Sequence, residues 1–270
     1  MLKTLQSLFA RDPDRSFRTR PSVPDGERYY AVGDIHGRDD LFAALADAID
    51  DDAARSPAVE PTVVLLGDLV DRGPSSASVI ARARAWSERQ TVRCLAGNHE
   101  EMFLQGFEDA RVLREFIRHG GRETLLSYGM TRETLRNTTI EELQDAMRAL
   151  VPQDDIDFLR SMEEMIVAGD YLFVHAGIDP YRPIEEQKRS DMLWIRSRFL
   201  NHDAPLDHKV VHGHTISENI EVTPHRIGID TGAFRTGVLT ALVLEGTERR
   251  ILQAIEKDGT VRVAHDEGLT

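Results

Sequence analysis

The sequence predicts an α/β fold with a helical insertion and a β-rich C-terminal part. Over residues 29–96, short apolar runs alternate with stretches of helical spacing, as in a sheet whose strands are connected by helices. Residues 102–164 are rich in helix-forming side chains and have almost no β-branched runs. After Lys209, several short apolar runs follow one another, which indicates consecutive strands.

Five elements are expected between residues 29 and 96. Strands are predicted at 29–32, 62–66 and 91–96, and the unbroken apolar run TVVLL at 62–66 is typical of a strand buried on both faces. Leu41, Leu45 and Ile49 share one helix face, which predicts a helix over 41–49. Pro74 stands just before a second predicted helix at 75–86. This order of elements predicts one α/β sheet.

The remaining elements are predicted from the same patterns. Three or four helices are expected to form a cap or lobe in the middle of the chain, with Gly120, Gly121 and Gly129 between them. A strand is predicted at 171–174 and a helix at 191–200. A second, largely antiparallel sheet is expected from the last runs, which lie at 210–211, 219–222, 226–229, 238–244, 251–255 and 261–263.

Residues 1–28 are predicted to be an extension, followed by a domain over 29–270 whose helical insertion covers about 102–170. Three prolines interrupt the extension, although the spacing of its first apolar residues favours a short surface helix. The alternative is docking of the basic stretch 11–20 on a membrane or a partner. We find no signal-peptide core and no apolar run long enough to cross a bilayer, so no stable membrane insertion is expected.

Composition and charge limit the class of function. The chain has 270 residues, 41% of them hydrophobic and 29% charged, which is typical of a folded globular protein. Its formal net charge of −13 repels nucleic acid at long range, so no nucleic-acid partner is expected. Cys94 is the single cysteine, which excludes an intramolecular disulfide and fits a reducing, cytoplasmic location. The oligomeric state is not predicted.

Polar motifs follow the predicted strands at five places. They are GDIHG at 33–37, GDLVDRG at 67–73, GNHE at 97–100, HAG at 175–177 and HGH at 212–214. Because the carboxyl ends of parallel strands meet at one edge of a sheet, these side chains are expected to converge. The glycines beside them allow the tight turns through which short side chains reach a common centre.

The side chains in these motifs are of the types that bind metal ions. Carboxylate and amide oxygens are hard ligands, and imidazole suits Mn, Fe, Zn or Ni. Six ligands are too many for one catalytic ion but suit two ions with one bridging carboxylate, and two ions about 4 Å apart favour phosphoryl transfer. Asp68 is the expected bridge among the candidate ligands, which are Asp34, His36, Asp68, Asn98, His175 and His214.

With these motifs in place, the sequence resembles the calcineurin-like metallophosphoesterases. More narrowly it resembles their phosphoprotein phosphatase group, which includes serine/threonine phosphatases and their bacterial and phage relatives. The family pattern GDxHG, GDxVDRG and GNHE is met in full, and the resemblance covers roughly residues 29–245. It implies a four-layer αββα sandwich with two central mixed sheets and the metals at one edge.

The resemblance also implies a role for each motif residue. Asp34, His36 and Asp68 would hold one ion, and Asp68, Asn98, His175 and His214 the other, with a bridging hydroxide attacking phosphorus. His99 would be the general acid, oriented by Asp71, and Arg72, Asn98 and Arg196 would bind substrate. A carboxylate beside an imidazolium favours the protonated form, which suits an acid. Mn²⁺ is the implied metal, with Fe, Zn, Ni and Co as alternatives.

Several alternatives remain open at this point. His212 competes with His214 for one ligand position, and Arg196 is also explained by a solvated helix surface. Glu100 is interpreted as structural, tying the turn that contains it. The expected function is a phosphomonoesterase acting on phosphoserine or phosphothreonine, with phosphotyrosine also considered. The alternatives are a diadenosine tetraphosphatase-like nucleotide hydrolase, a group that commonly lacks an aspartate at the position of Asp71, and a small-molecule phosphatase.

Overall fold

The computed structural model describes residues 20–56, 59–266 and 268. The short helix predicted near the start of the chain lies outside the described residues. The amide of Val23 donates to the carbonyl oxygen of Gly246 at 3.0 Å, and the Val23 side chain is buried among apolar residues of both sheets. The last part of the predicted extension therefore packs on the domain, and the first strand begins at Glu27.

Eleven strands form within the described residues, and they belong to two sheets. They are β1 (Glu27–Val32), β2 (Glu60–Leu65), β3 (Val92–Cys94), β4 (Met165–Ala168), β5 (Tyr171–Val174), β6 (Lys209–His212), β7 (Glu221–Val222), β8 (Arg226–Gly228), β9 (Val238–Glu245), β10 (Glu248–Lys257) and β11 (Thr260–Asp266).

The six-stranded sheet has the order β11-β10-β9-β1-β2-β3, and the five-stranded sheet has the order β4-β5-β6-β8-β7. Strands β1, β2 and β3 are parallel, and β9 pairs with β1 in the antiparallel direction. Strands β5, β6 and β8 are likewise parallel, with antiparallel strands at both edges. Both sheets are therefore mixed.

Helices lie on the outer side of each sheet. They are α1 (Asp39–Ala54), α2 (Ser76–Ser87), α3 (Asn98–Gly106), α4 (Ala110–Phe116), α5 (Arg122–Ser127), α6 (Arg132–Asn137), α7 (Ile140–Leu150), α8 (Gln153–Arg160), α9 (Arg189–Trp194), α10 (Ser197–Leu200) and α11 (Ala233–Thr236). A π-helical turn, Ile117–Gly121, joins α4 to α5, and a 3₁₀ turn occupies Ile184–Glu186. None of the described helices is long and apolar enough to cross a membrane.

Successive side chains along a strand point to opposite faces of its sheet and so pack in different layers. Tyr30 and Val32 of β1 point toward α1 and α2, whereas Tyr29 and Ala31 pack between the two sheets. The outer face of the five-stranded sheet packs against α9 and α10, with the Phe199 side chain fully buried there. Two mixed sheets with helices on both sides confirm the predicted αββα class.

The middle of the chain contains more helix breaks than the sequence predicts. Six α-helices, rather than three or four, lie between residues 98 and 160; we call this stretch the helical segment. Its helices share one apolar core with α1 and α2. Strand β4 lies at the end of the predicted insertion and pairs with β5, so that interval is not wholly helical.

Two other expectations need correction. The last six strands do not form a separate sheet, because β6, β7 and β8 join the five-stranded sheet and β9, β10 and β11 join the other. Long-range pairing determines which sheet a strand joins, and the hydrophobic periodicity of a strand does not indicate its partner. The helix expected over 191–200 is also interrupted, since Ile195 and Arg196 have non-helical backbone angles between α9 and α10.

Candidate functional site

The motif loops gather at the carboxyl ends of the parallel strands. Strands β1 and β2 lead into the loops at 33–37 and 67–73, and β5 and β6 lead into those at 175–177 and 213–214. After β3, the motif at 97–100 forms the N-cap and first turn of α3. The structure therefore draws residues from both sheets to one edge of the sandwich.

Unusual backbone conformations are concentrated in these loops. Six described residues other than glycine have a positive φ, and five of them belong to the motifs. Each such conformation costs about 1–3 kcal/mol and persists only where the surroundings enforce it. The five are His36 (46°), Asp68 (51°), Asp71 (74°), Arg72 (69°) and His214 (64°).

Two glycines leave space for carboxylates. A Cβ atom at Gly97 would lie 2.2 Å from Oδ1 of Asp68, and one at Gly213 would lie 2.0 Å from Oδ1 of Asp34. Any larger residue at either position would displace a carboxylate of the site. The glycine requirement in these motifs is thus one of close approach.

Asp68 lies at the centre of the site. Its Oδ2 atom is 3.6 Å from Nε2 of His36, and its Oδ1 atom is 3.5 Å from Nε2 of His175. Burial acts to raise the pKa of Asp68, but the surrounding histidines outweigh it and lower that pKa below its usual value. Asp68 is therefore a carboxylate with one oxygen toward each of two groups of ligand atoms.

The first group contains His36, Asp68 and His99, whose ligand atoms lie within 4.8 Å of one another. Nδ1 of His36 donates to the carbonyl of Val70 at 2.8 Å, which leaves Nε2 with its lone pair on the side of Asp68. Burial lowers the pKa of His36 to about 3, so the ring is neutral and able to bind a metal.

The second group contains Asp68, His175 and His214. Nδ1 of His175 donates to the Leu66 carbonyl at 2.8 Å, so its Nε2 atom carries a lone pair. Oδ1 of Asn98 lies 3.0 Å from that Nε2 atom and 2.8 Å from Nδ1 of His214. Burial lowers the pKa of His175, and it lowers the pKa of His214 to about 2.

Asp34 follows a strand of the six-stranded sheet and contacts the HGH motif, which follows a strand of the five-stranded sheet. Its two carboxylate oxygens accept the amide N–H of His214 at 3.1 and 3.0 Å. Burial, together with the charges of Asp230 and Asp68, raises the pKa of Asp34. The ligand atom of His99, and not that of Asp34, lies within 4.8 Å of those of His36 and Asp68. Asp34 is nevertheless close enough for the charge of Asp68 to raise its pKa.

These donor atoms fit a metal ion. Nε2 of His175 and Oδ1 of Asn98 are both acceptors, yet they face each other at 3.0 Å with no proton between them. Nε2 of His214 is buried and has no hydrogen-bond partner among the described residues. Buried acceptors that converge in this way are stabilised by a cation, and neutral imidazoles with carboxylate and amide oxygens suit a divalent transition metal.

His99 and Asp71 form a buried pair beside the first group. Nδ1 of His99 donates to Oδ2 of Asp71 at 2.6 Å, and both side chains are almost fully buried. Burial acts to lower the pKa of His99, but the carboxylates of Asp68 and Asp71 outweigh it and hold that pKa above its usual value. Nη2 of Arg72 donates to Nε2 of His99 at 2.9 Å, so Nε2 carries its lone pair in this structure. The pair can take up a proton at Nε2 when that hydrogen bond is released, and can then donate it.

The two candidate arginines differ in their surroundings. Nη1 of Arg72 donates to Nε2 of His36 at 2.7 Å, and its guanidinium lies 4.8 Å from the ring centroid of Phe234. Arg196 is exposed, and its Nη1 atom donates to the hydroxyl of Thr215 at 3.5 Å. Arg72 is thus fixed beside the ligand groups, whereas Arg196 lies at the solvent side.

Glu100 holds the loop that carries Asp68. Its Oε2 atom accepts the amides of Gly97 and Asp68 at 2.9 and 2.8 Å. Its Oε1 atom accepts those of Leu69 and Val70 at 2.8 and 3.2 Å. The structural interpretation of Glu100 is confirmed, and its carboxylate is fully buried.

His212 belongs to neither ligand group. Its Nδ1 atom contacts the Gly213 carbonyl at 3.0 Å, its Nε2 atom lies 3.4 Å from Arg226, and its ring packs edge-on against Phe199. Of the two candidates in the HGH motif, the structure brings His214 to the other ligands.

Sequence reasoning missed three residues around the site. Thr124 contacts Asp71, Phe234 contacts His36 edge-on with ring centroids 5.3 Å apart, and Asp230 is buried close to Asp34. Asp230 follows a predicted strand, and that position could have marked it. Thr124 and Phe234 have no motif around them, so only the tertiary structure places them.

Two curated relatives illustrate what the chain is similar to. A symmetrical bis(5'-nucleosyl)-tetraphosphatase of Acidovorax ebreus is 33% identical over 161 residues, which are 58% of this chain and 46% of that protein. The chain thus spans about half the length of that relative. A symmetrical bis(5'-nucleosyl)-tetraphosphatase of a Janthinobacterium species is 25% identical, over 83% of this chain and 94% of its own length.

Solved structures share the fold. A protein proposed to be a diadenosine tetraphosphatase superposes with a TM-score of 0.56 at 19% identity, covering 92% of this chain and 99% of that one. A cold-active protein-tyrosine phosphatase of a Shewanella species superposes with a TM-score of 0.55 at 20% identity, covering 90% of this chain and 83% of that one. At these identities the likeness concerns the fold alone.

The family profile of the calcineurin-like phosphoesterases matches residues 27–232. That span contains every residue of the two ligand groups and the His99–Asp71 pair. The fold, the two groups that share Asp68 and this match agree: the chain belongs to the calcineurin-like phosphoesterase family.

Proposed function

We propose that this metallophosphoesterase hydrolyses dinucleoside polyphosphates such as diadenosine tetraphosphate. The observation that carries the substrate class is the similarity to the Janthinobacterium tetraphosphatase over 83% of this chain and 94% of that protein. The Acidovorax relative bears the same enzyme name. A nucleotide hydrolase, one of the two alternatives from the sequence, therefore comes ahead of the protein phosphatase.

Aromatic side chains beside the site support a nucleotide substrate. Trp194 is 43% exposed, its ring centroid lies 6.5 Å from that of His214, and its Nε1 atom donates to Glu101 at 2.9 Å. Phe234, beside His36, lies next to the other ligand group. One aromatic ring near each group offers a stacking surface for each base of a dinucleotide.

The proposed metal centre holds two divalent ions, of which Mn²⁺ is the first choice and Fe, Zn, Ni or Co the alternatives. Asp68 would contact both, and the other ligands would be Asp34, His36, Asn98, His175 and His214. When bound, such ions supply an activated water and neutralise charge on the phosphoryl group. The buried Nε2 atom of His214, which has no hydrogen-bond partner in the described part of the chain, supports this assignment.

The chain's own side chains have three further tasks in the proposed reaction. Arg72 and Arg196 bind phosphate oxygens, with Arg72 held in place over the Phe234 ring. His99 donates a proton from Nε2 to the leaving oxygen, and Asp71 accepts the hydrogen bond from Nδ1 that orients the ring. Asn98 contacts both histidines that would bind the second ion, and we assign it to substrate binding as well.

A protein phosphatase is the second candidate, favoured by the His99–Asp71 pair. A nucleoside diphosphate is a weakly basic leaving group and needs little protonation. The alkoxide released from phosphoserine or phosphothreonine is strongly basic and needs a general acid. A hydrogen bond of 2.6 Å that supports such an acid is therefore more useful to a phosphomonoesterase. Small phosphomonoesters, such as sugar phosphates, would benefit in the same way.

A substrate panel tests the two candidates. Diadenosine tetraphosphate, phosphoserine, phosphothreonine and phosphotyrosine peptides and a sugar phosphate are incubated with Mn²⁺ or with chelator, and nucleotides and phosphate are quantified. We expect metal-dependent cleavage of the dinucleotide at a kcat/KM well above that of any peptide. Two ADP molecules would show symmetrical cleavage, and ATP with AMP asymmetrical cleavage. Efficient peptide dephosphorylation with an intact dinucleotide would overturn the proposal in favour of the phosphatase.

The aromatic surfaces have their own test. Trp194→Ala is expected to raise KM for diadenosine tetraphosphate about tenfold or more, since stacking a base contributes about 1–3 kcal/mol. The turnover of p-nitrophenyl phosphate, which has no base, is expected to stay unchanged. Equal effects on both substrates would show that Trp194 has a general structural role.

A further inference from the structure

The carboxylate of Asp71 contacts His99 through Oδ2 and the helical segment through Oδ1. Thr124, in the first turn of α5, is fully buried, and its hydroxyl contacts Asp71 twice. The oxygen accepts the amide N–H of Asp71 at 2.9 Å, and the same hydroxyl donates to Oδ1 of Asp71 at 2.6 Å. One side chain thus fixes both the backbone and the carboxylate of Asp71.

The direction of these hydrogen bonds follows from counting protons. A threonine hydroxyl has one proton, and a carboxylate is its strongest available acceptor, so Thr124 donates to Oδ1 of Asp71. Ser76 Oγ, 3.0 Å away, then donates to Thr124 and also accepts the Asp71 amide at 3.0 Å. The other carboxylate oxygen, Oδ2, accepts from His99. Each oxygen of Asp71 therefore has its own donor.

The backbone at this point requires such support. Asp71 and Arg72 have φ values of 74° and 69°, a conformation that is unfavourable for residues other than glycine. The helical segment also binds the next amide, since Arg72 N donates to the carbonyl of Gly120 at 3.1 Å. Gly120 lies in the π-helical turn, with a φ of 112°. Thr124 and Gly120 together hold two consecutive left-handed residues.

We propose that Thr124 is a positioning residue for the reaction. Its hydroxyl holds Asp71 in the conformer in which Oδ2 faces Nδ1 of His99, so the helical segment controls the efficiency of proton transfer to the leaving group. This inference rests on the proposed role of His99 as general acid. It makes Thr124 a determinant of leaving-group preference: loss of the hydroxyl slows the hydrolysis of substrates with basic leaving groups more than that of activated substrates.

The test uses two aryl phosphates that differ in leaving group. Phenyl phosphate releases a basic phenolate, whereas p-nitrophenyl phosphate releases a weakly basic one. Thr124→Val is expected to lower kcat for phenyl phosphate about tenfold or more while changing kcat for p-nitrophenyl phosphate less than about threefold, because protonation matters only for the basic group. Thr124→Ser, which retains the hydroxyl, should restore the ratio. Thr138→Val, in the same segment but away from Asp71, is the matched control.

A double-mutant cycle separates positioning from general damage. If Thr124 acts through Asp71, Thr124→Val has no further effect on the kcat ratio in an Asp71→Ala background. An equal effect in both backgrounds, or an equal loss with both aryl phosphates, would overturn the inference.

A second readout does not depend on turnover. The proton on Nδ1 of His99, in a 2.6 Å hydrogen bond, is expected to give a far-downfield NMR resonance, identified by its loss in His99→Asn. We expect this resonance in the full chain, with and without diamagnetic Zn²⁺, and in Thr124→Ser. In Thr124→Val it should move upfield or broaden through exchange with water. An unchanged resonance in Thr124→Val would overturn the inference.

His99→Asn also separates this inference from the function on which it rests. If His99→Asn does not slow phenyl phosphate, the acid role itself fails. If His99→Asn slows it but Thr124→Val does not, only the role of Thr124 fails.

Discussion

Replacing Glu100 by glutamine tests how the loop that carries Asp68 is held. The carboxylate accepts four backbone N–H groups, two on each oxygen, and it is fully buried. A glutamine retains one oxygen and turns the other position into a donor. Two amides then lose their acceptor and face an N–H group inside the protein.

The expected loss follows from that count. A buried donor left without its partner costs about 1–3 kcal/mol, so two such donors lower the free energy of unfolding by roughly 2–6 kcal/mol. Domains are commonly stable by only about 5–15 kcal/mol, so this is a large fraction of the total. The affinity for Mn²⁺ should fall as well, because the amide of Asp68 is one of the groups released.

Burial raises the pKa of Glu100 to about 7, so the comparison is made at a pH above about 8, where the carboxylate is ionised. Urea unfolding in the presence of chelator then measures the first effect without a contribution from bound metal. Calorimetric titration with Mn²⁺ measures the second. Glu108→Gln is the matched control, since Glu108 is exposed and the same change there is expected to shift stability by less than about 0.5 kcal/mol. A Glu100→Gln protein within 1 kcal/mol of the wild type would refute the hydrogen-bond count, since ~2 kcal/mol is its minimum.

Three further predictions concern other parts of the molecule. Asp68→Asn should weaken both metal ions together in equilibrium dialysis, because its oxygens face both ligand groups; loss of one ion alone would contradict the shared position. Gly213→Ala should lower Mn²⁺ affinity about tenfold or more by displacing the Asp34 carboxylate, whereas Gly106→Ala, where a Cβ has ordinary contacts at 3.6 Å, should not; equal affinities would contradict the clash. Asp52→Asn should flatten the acid side of the stability–pH profile. Burial opposes ionisation there, but hydrogen bonds from arginine and tyrosine side chains hold the pKa of Asp52 below its usual value. The unfolded chain therefore takes up this proton first, and the contribution present above about pH 4 is lost as pH falls through the folded-state pKa; an unchanged slope in acid-unfolding experiments would contradict this.

The sequence is informative about the site because its ligands lie directly after strands. The apolar runs at 29–32 and 62–66 predict where β1 and β2 end, and the motif residues follow at once. The distribution of the last strands between two sheets was not predictable in this way, because partner choice is decided by packing across the whole chain. Strand β4 was missed because a four-residue edge strand carries little periodicity.

The site residues that the sequence identifies are those that lie in a local motif. Asp68, His175 and His214 meet in the structure, and His99 meets Asp71. The sequence does not decide between His212 and His214, because residues two positions apart on a strand point to the same face. Thr124 lies 53 positions from Asp71, and no spacing rule connects the two.

The ligand groups draw on both sheets, and this has a consequence for folding. Asp34, His36 and Asp68 follow strands of the six-stranded sheet, whereas His175 and His214 follow strands of the five-stranded sheet. An ion held by Asp68 and His175 would therefore cross-link the two halves of the sandwich, and this cross-link would form only when both halves have formed. Metal concentration would then be a thermodynamic variable of folding, in proportion to RT ln(1 + [metal]/Kd). Metal depletion would first weaken the contact between the two sheets at this edge. Amide hydrogen exchange should therefore rise near the site before it rises at the opposite ends of the strands.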